Sequence, residues 1–129
     1  RGEKIEEVLE QIGLIDRRNH LAATLSHGEK QWLEIGMLLV QEPELIILDE
    51  PTTGMTIDET YATGQLIQTV FKGRSVIVIE HDMAFVRQIA NLVTVLHQGR
   101  VLTEGTFEEV EQNKQVQEVY FRGTRDASN

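Results

Sequence analysis

Leu45-Ile46-Ile47-Leu48-Asp49-Glu50 is a run of four large aliphatic residues that ends abruptly in two carboxylates. Apolar residues at consecutive positions suit a strand covered on both faces, as in a parallel α/β sheet, rather than one with a wet side. Ligands of such sheets gather beyond the carboxyl ends of the strands. Two acids placed there can divide the work: Asp49 can hold a hard cation such as Mg2+ through oxygen, and Glu50 can orient or deprotonate a water. Taken alone, the stretch equally suits a buried strand running into a solvated turn at Pro51-Thr52-Thr53-Gly54.

Upstream, Ile5, Val8, Leu9 and Ile12 recur at helical spacing with Glu6, Glu7 and Glu10 on the other side, and Gly13 supplies a stop. The sequence begins almost on this helix, which suggests a piece of something longer. Residues 14–24 form a mixed connector in which Leu21 and Leu25 are expected to pack down while Asp16, Arg17 and Arg18 stay wet. Ser26 with Glu29 three residues later is a capping box, and it opens a helix through Trp32, Leu33, Ile35, Met37, Leu38 and Leu39. That helix is apolar around most of its circumference, so deep burial is expected. Its N-terminus offers free N–H donors and partial positive charge, a ready site for a phosphate, but capping boxes are common and the pentapeptide taken alone reads better as an ordinary helix start. Pro43 ends it.

Downstream, Thr56 with Glu59 caps a helix of residues 57–71 that Gly73 closes, and the β-branched run Val76-Ile77-Val78-Ile79 forms a second strand ending in Glu80-His81-Asp82. Two strands separated by a helix, each delivering acids or a histidine at its end, make a βαβ unit with a polar cluster on one edge. Asp82 is placed to cap a helix whose inner stripe is Met83, Val86, Ile89 and Ala90. Residues 93–96 and 101–102 read as a hairpin turning at Gly99. Thr106 with Glu109 caps a short acidic helix, Val116, Val119 and Tyr120 suggest another, and residues 122–129 lack periodicity and read as a frayed tail. His20 and His97 share no plausible metal geometry, and Trp32 reads as core.

The 129 residues suit one domain with a real core, and 40% hydrophobic with 26% charged residues fits a globular chain. No apolar run approaches membrane-spanning length, and no cysteine is present to form disulfides or thiolate sites. A formal charge of -9 argues against a nucleic-acid backbone as partner.

With these pieces in order, the sequence resembles the C-terminal half of an ABC-transporter ATP-binding subunit. Leu25-Ser26-His27-Gly28-Glu29 is similar to the signature motif, residues 45–50 to the Walker B strand, residues 51–56 to the D-loop, and His81 to the switch histidine. Residues 25–37, His81-Asp82-Met83 and Val119-Tyr120-Phe121 look most like the branch serving branched-chain amino acid and urea uptake. The resemblance implies part of a RecA-like, three-layer P-loop NTPase core with parallel strands. It places the end of the helical subdomain and the signature helix in residues 1–44, the C-terminal part of the ATPase core in residues 45–121, and a tail after them.

It also implies roles. Asp49 holds the Mg2+ of bound ATP, Glu50 orients the attacking water, and His81 contacts the γ-phosphate. Ser26, His27, Gly28 and Glu29 face the nucleotide of a second ATPase subunit, and permease subunits in the membrane place the protein at the cytoplasmic face. Departures are visible: His27 stands for the usual glycine, Glu29 for glutamine and Thr56 for the D-loop aspartate. No G-x-x-x-x-G-K followed by Ser or Thr occurs, and the adenine platform and glutamine loop are also missing, so these residues alone are expected to bind nucleotide poorly. Without the P-loop strand, self-association through exposed strand edges is expected. Two other classes fit: an interaction module without catalysis, or an ATPase of a non-transport ABC protein.

Overall fold

The computed structural model describes residues 2–121 and consists of two compact units, one reaching to Phe85 and the other beginning at Val86. The expected tail, residues 122–129, lies outside the described residues.

The first unit opens with α1 (Gly2–Gln11), which presents Val8 and Ile12 inward. Gly13 then takes φ +77°, a left-handed conformation that other residues adopt only with strain, and the helix ends. Short 3-10 turns at Ile15–Arg17 and Ala22–Thr24 carry the chain to α2 (His27–Val40). Helices α1 and α2 pack closely because Gly36 has no side chain: a Cβ there would lie 2.7 Å from Ile12 Cδ1 and 3.2 Å from Val8 Cγ1. Deep burial of α2 is not what the structure shows. Ile35, Gly36 and Leu39 are buried, but Met37 is exposed and Trp32, Leu33 and Leu38 are only half-buried, because α1 and α3 cover only part of its circumference. Leu21 also differs from expectation. It is 76% exposed, since it precedes a 3-10 turn that has no buried residue.

Strand β1 (Leu45–Asp49) pairs in parallel with β2 (Ser75–Ile79), and α3 (Ile57–Val70) connects them, giving the expected βαβ unit. The register sets Ile47 beside Ile77 and Asp49 beside Ile79. Only one face of this pair is covered: Ile46 and Leu48 are buried, whereas Leu45, Ile47, Ile77 and Ile79 are each more than half exposed. The consecutive aliphatics therefore form the expected strand, but not one buried on both faces. Helix α3 buries Thr60, Thr63, Gly64, Ile67 and Val70 and ends at Phe71, with Gly73 at φ +83°.

Helix α4 (Met83–Ile89) is capped by Asp82, whose Oδ1 accepts the Phe85 N–H at 3.1 Å. Its buried residue is Phe85 rather than the Met83, Val86 and Ile89 stripe, which is half-buried. The second unit holds a hairpin of β3 (Val93–His97) and β4 (Arg100–Gly105). Gln98 and Gly99 both have positive φ, the signature of a two-residue turn whose twist matches the strands. The register slips between Val95 and Leu96, so a bulge interrupts the pairing.

Helices α5 (Phe107–Gln112) and α6 (Lys114–Val116) pack on the hairpin, and a π-helical turn, Gln117–Phe121, follows. Arg87 lies 4.9 Å from the Phe107 ring centroid and pairs with Glu111 at 2.7 Å, while the Tyr120 hydroxyl donates to the Leu96 carbonyl at 2.6 Å.

Candidate functional site

The carboxyl ends of β1 and β2 collect the acids and the histidine that the sequence singles out. Parallel pairing continues one residue beyond β1, where the Glu50 N–H donates to the Ile79 carbonyl at 2.8 Å. Glu50 itself adopts φ +49°, an uncommon conformation for a residue with a side chain. That twist breaks the alternation of the strand, and the Glu50 carbonyl accepts the Thr53 N–H to close the following turn. The Glu50 side chain is exposed, and its Oε1 lies 3.3 Å from His81 Nδ1. Asp49, the last residue of β1, is also exposed and stands opposite Ile79 in register.

Glu80 organises this edge from below, a role that sequence reasoning missed. Its side chain is only 1% exposed, yet its carboxylate has three donors. Oε2 accepts the Thr52 hydroxyl at 2.7 Å and the Thr52 N–H at 3.3 Å, while Oε1 accepts the His81 N–H at 3.2 Å. One buried carboxylate thus ties the loop leaving β1 to the loop leaving β2, which brings Glu50 and His81 together. The available signal was chemical: an acid directly after a run of β-branched residues, beside a histidine, needs partners if it turns inward.

The helix end that suits an anion is built as expected. Ser26 Oγ accepts the Glu29 N–H at 3.1 Å and Glu29 Oε1 accepts the Ser26 N–H at 2.9 Å. That N–H, assisted by the Ser26 hydroxyl and by Arg17 at 3.7 Å, holds the Glu29 carboxyl below its ordinary range. Glu29 is therefore folded back onto its own helix. Gly28 is buried, and His27 turns its ring to the Thr53 carbonyl. Farther along, Trp32 Nε1 donates to Thr63 Oγ1 at 2.8 Å, and that hydroxyl donates to the Glu59 carbonyl at 2.7 Å, joining α2 to α3 through a fully buried threonine.

Among the described residues, no group of three or more His, Cys, Asp or Glu side chains could enclose a metal ion.

The arrangement has recognisable relatives. The family model described as ABC transporter matches residues 1–53. The high-affinity branched-chain amino acid transport ATP-binding protein LivG of Salmonella typhimurium is 37% identical over 115 residues, which is 88% of this chain and 45% of LivG. The chain matches part of an ABC-transporter ATP-binding subunit. BraF of Pseudomonas aeruginosa, a protein of the same description, is 35% identical over 88% of this chain and 45% of BraF. Among solved structures, the ATP-binding cassette MJ1267 of an ABC transporter superposes with a TM-score of 0.84 at 27% identity, covering 92% of this chain and 49% of MJ1267. The cbiO1 structure from Clostridium perfringens gives 0.80 at 26% identity, covering 99% of this chain and 53% of cbiO1. The fold class is thus that of the ABC ATPase cassette, and the chain spans about half the length of the relatives it matches.

Proposed function

We propose that this chain supplies the water-activating half of an ATP-hydrolysing site in an ABC importer of the branched-chain amino acid or urea type. The observation that carries the reading is the 3.3 Å approach of His81 to Glu50 at the ends of two parallel strands, beside Asp49. Phosphoryl transfer asks a protein mainly for positioning and charge stabilisation, and in this reading these groups would supply both. Glu50, twisted out of the strand and exposed, would orient the attacking water. His81 would reach the γ-phosphate from its neighbouring loop, a donor role that imidazole suits.

Bound Mg2+ would neutralise developing charge on the phosphate oxygens, with Asp49 as the protein's contribution to its shell. Ser26 and Gly28, at the N-terminus of α2, would present N–H donors to ATP held by a second subunit, and permease subunits would receive the work of hydrolysis. The relatives' descriptions as branched-chain amino acid transport proteins favour that cargo class. No helix among the described residues is long and apolar enough to cross a membrane, which is compatible with a peripheral place beside a permease.

The 129 residues hold no phosphate-cradling Gly-rich loop with its lysine, so nucleotide affinity in this reading belongs to a complete subunit. Titration of the 129-residue chain and of a full-length subunit carrying this sequence with Mg-ATP tests the division. The proposal expects tight binding only by the latter. Hydrolysis-competent binding by neither would overturn it.

A further inference from the structure

The N-terminal end of α2 touches the loop that leaves β1 through a side chain that the family does not usually place there. His27 Nε2 lies 2.7 Å from the Thr53 carbonyl oxygen, which can only accept, so the ring nitrogen donates. The ring also lies over Gly54. A Cβ built on Gly54 would sit 3.0 Å from both Cδ2 and Nε2 of His27, and Gly54 is itself left-handed at φ +81°. Glycine at 54 thus serves two needs at once, a turn conformation and room for the imidazole.

The other side of the same helix end is closed as tightly. A Cβ on Gly28 would lie 2.0 Å from Glu59 Oε2 and 3.1 Å from its Cδ, so a side chain there would push the tip of that carboxylate aside. Glu59 is in turn held by its capping box with Thr56, accepting the Thr56 N–H at 3.2 Å. The first turn of α2 is therefore gripped between the Thr53–Gly54 backbone and the first turn of α3. A glycine at position 27 could provide neither the hydrogen bond nor the ring contact.

We infer that His27 is a positioning residue that fastens the anion-facing end of α2 to the loop leaving β1, so that the two move as one body. This rests on the ATPase reading for its consequence, because only then do Ser26 and the loop after Glu50 face parts of one reaction. The latch itself is a property of this chain. Either the neutral Nε2–H tautomer or the imidazolium can make the bond. A glutamine, whose amide N–H₂ can reach a carbonyl at similar distance, should replace it in part.

Two measurements test the inference. In the 129-residue chain, His27→Ala is expected to speed amide exchange at Thr53 and Met55, whose turn hydrogen bonds run to Glu50 and Thr52, by about tenfold, without changing exchange in β1. In a full-length subunit carrying this sequence, His27→Ala is expected to lower kcat by about tenfold to a hundredfold with KM for ATP within about twofold, and His27→Gln to recover most of the loss. Unchanged exchange at Thr53 and Met55 overturns the latch. So does a kcat loss that His27→Gln fails to recover. Failure of the ATPase reading would appear separately, as no hydrolysis by the unsubstituted subunit, and the exchange measurement then decides the latch alone.

Discussion

Removing the Thr52 hydroxyl should loosen the edge on which Glu50 and His81 meet. In Thr52→Val the side chain keeps its shape and its burial, at 6% exposure, but loses the 2.7 Å donation to Glu80. A hydrogen bond to a charged acceptor contributes about 1.5–3 kcal/mol, and here the acceptor stays buried with only two N–H donors left. Taking about 2 kcal/mol and a urea m-value of about 2 kcal/mol/M, the unfolding midpoint should fall by about 1 M. Glu80→Gln should cost a similar amount, because one amide oxygen cannot serve donors on both sides and the NH₂ group would confront an N–H. The double variant should be less destabilised than the sum, by about 1 kcal/mol, since both changes break one network. Trp32, the sole tryptophan, reports unfolding by fluorescence. A midpoint within about 0.2 M of wild type for Thr52→Val, or strict additivity in the double variant, would refute the role given to Glu80.

Other consequences follow from the same contacts. Thr63→Val removes the acceptor of the Trp32 N–H and should destabilise the chain by about 1–2 kcal/mol; an unchanged melting curve would mean that water replaces the hydroxyl. The Glu29 carboxyl is depressed by the Ser26 N–H, so its contribution is present above its ordinary value of 4.5 and fades as pH falls through the folded value. The stability gap between wild type and Glu29→Gln should therefore narrow as pH falls below the ordinary value of 4.5 and through the lower folded value, and a gap that widens on acidification contradicts the cap. Ser26→Arg in one half of a mixed dimer should slow hydrolysis at the nucleotide held by the unsubstituted half; equal rates at both sites would remove its cross-subunit role. Alone in solution, the 129-residue chain is expected to self-associate through the open edges and the exposed Leu45, Ile47, Ile77 and Ile79 face, and a monomeric mass at tens of micromolar would reject this.

The parts of the fold that were legible in the sequence are those set by neighbours in the chain. All three capping boxes form with both reciprocal hydrogen bonds, at Ser26 with Glu29, Thr56 with Glu59 and Thr106 with Glu109. Each needs only a hydroxyl and a carboxylate three residues apart. The helix stop at Gly13 and the turn at Gly99 are local in the same way, since positive φ selects glycine. The parallel pairing of β1 and β2 also followed from a strand, a helix and a strand in that order.

What was not legible depends on which surface meets which. The apolar residues of α2 and the consecutive aliphatics of β1 say that a face is fit for burial, not that something covers it, and Met37 and Ile47 stay exposed. Glu80 was hidden for the converse reason. A carboxylate reads as solvent-facing until the distant Thr52 hydroxyl that satisfies it is known. At the candidate site, Glu50 and His81 could be named from the strand ends, but their 3.3 Å approach needed the register and the twist at Glu50.

The central claim is that Glu50 activates water at an ATP site, and the most direct test is Glu50→Gln in a full-length subunit carrying this sequence, with ATP binding and steady-state hydrolysis measured on one preparation. The substitution keeps size and shape and removes only the charge that polarises the water. The account predicts that hydrolysis falls by at least about a hundredfold while ATP affinity stays within about threefold. Hydrolysis near the wild-type rate would contradict it.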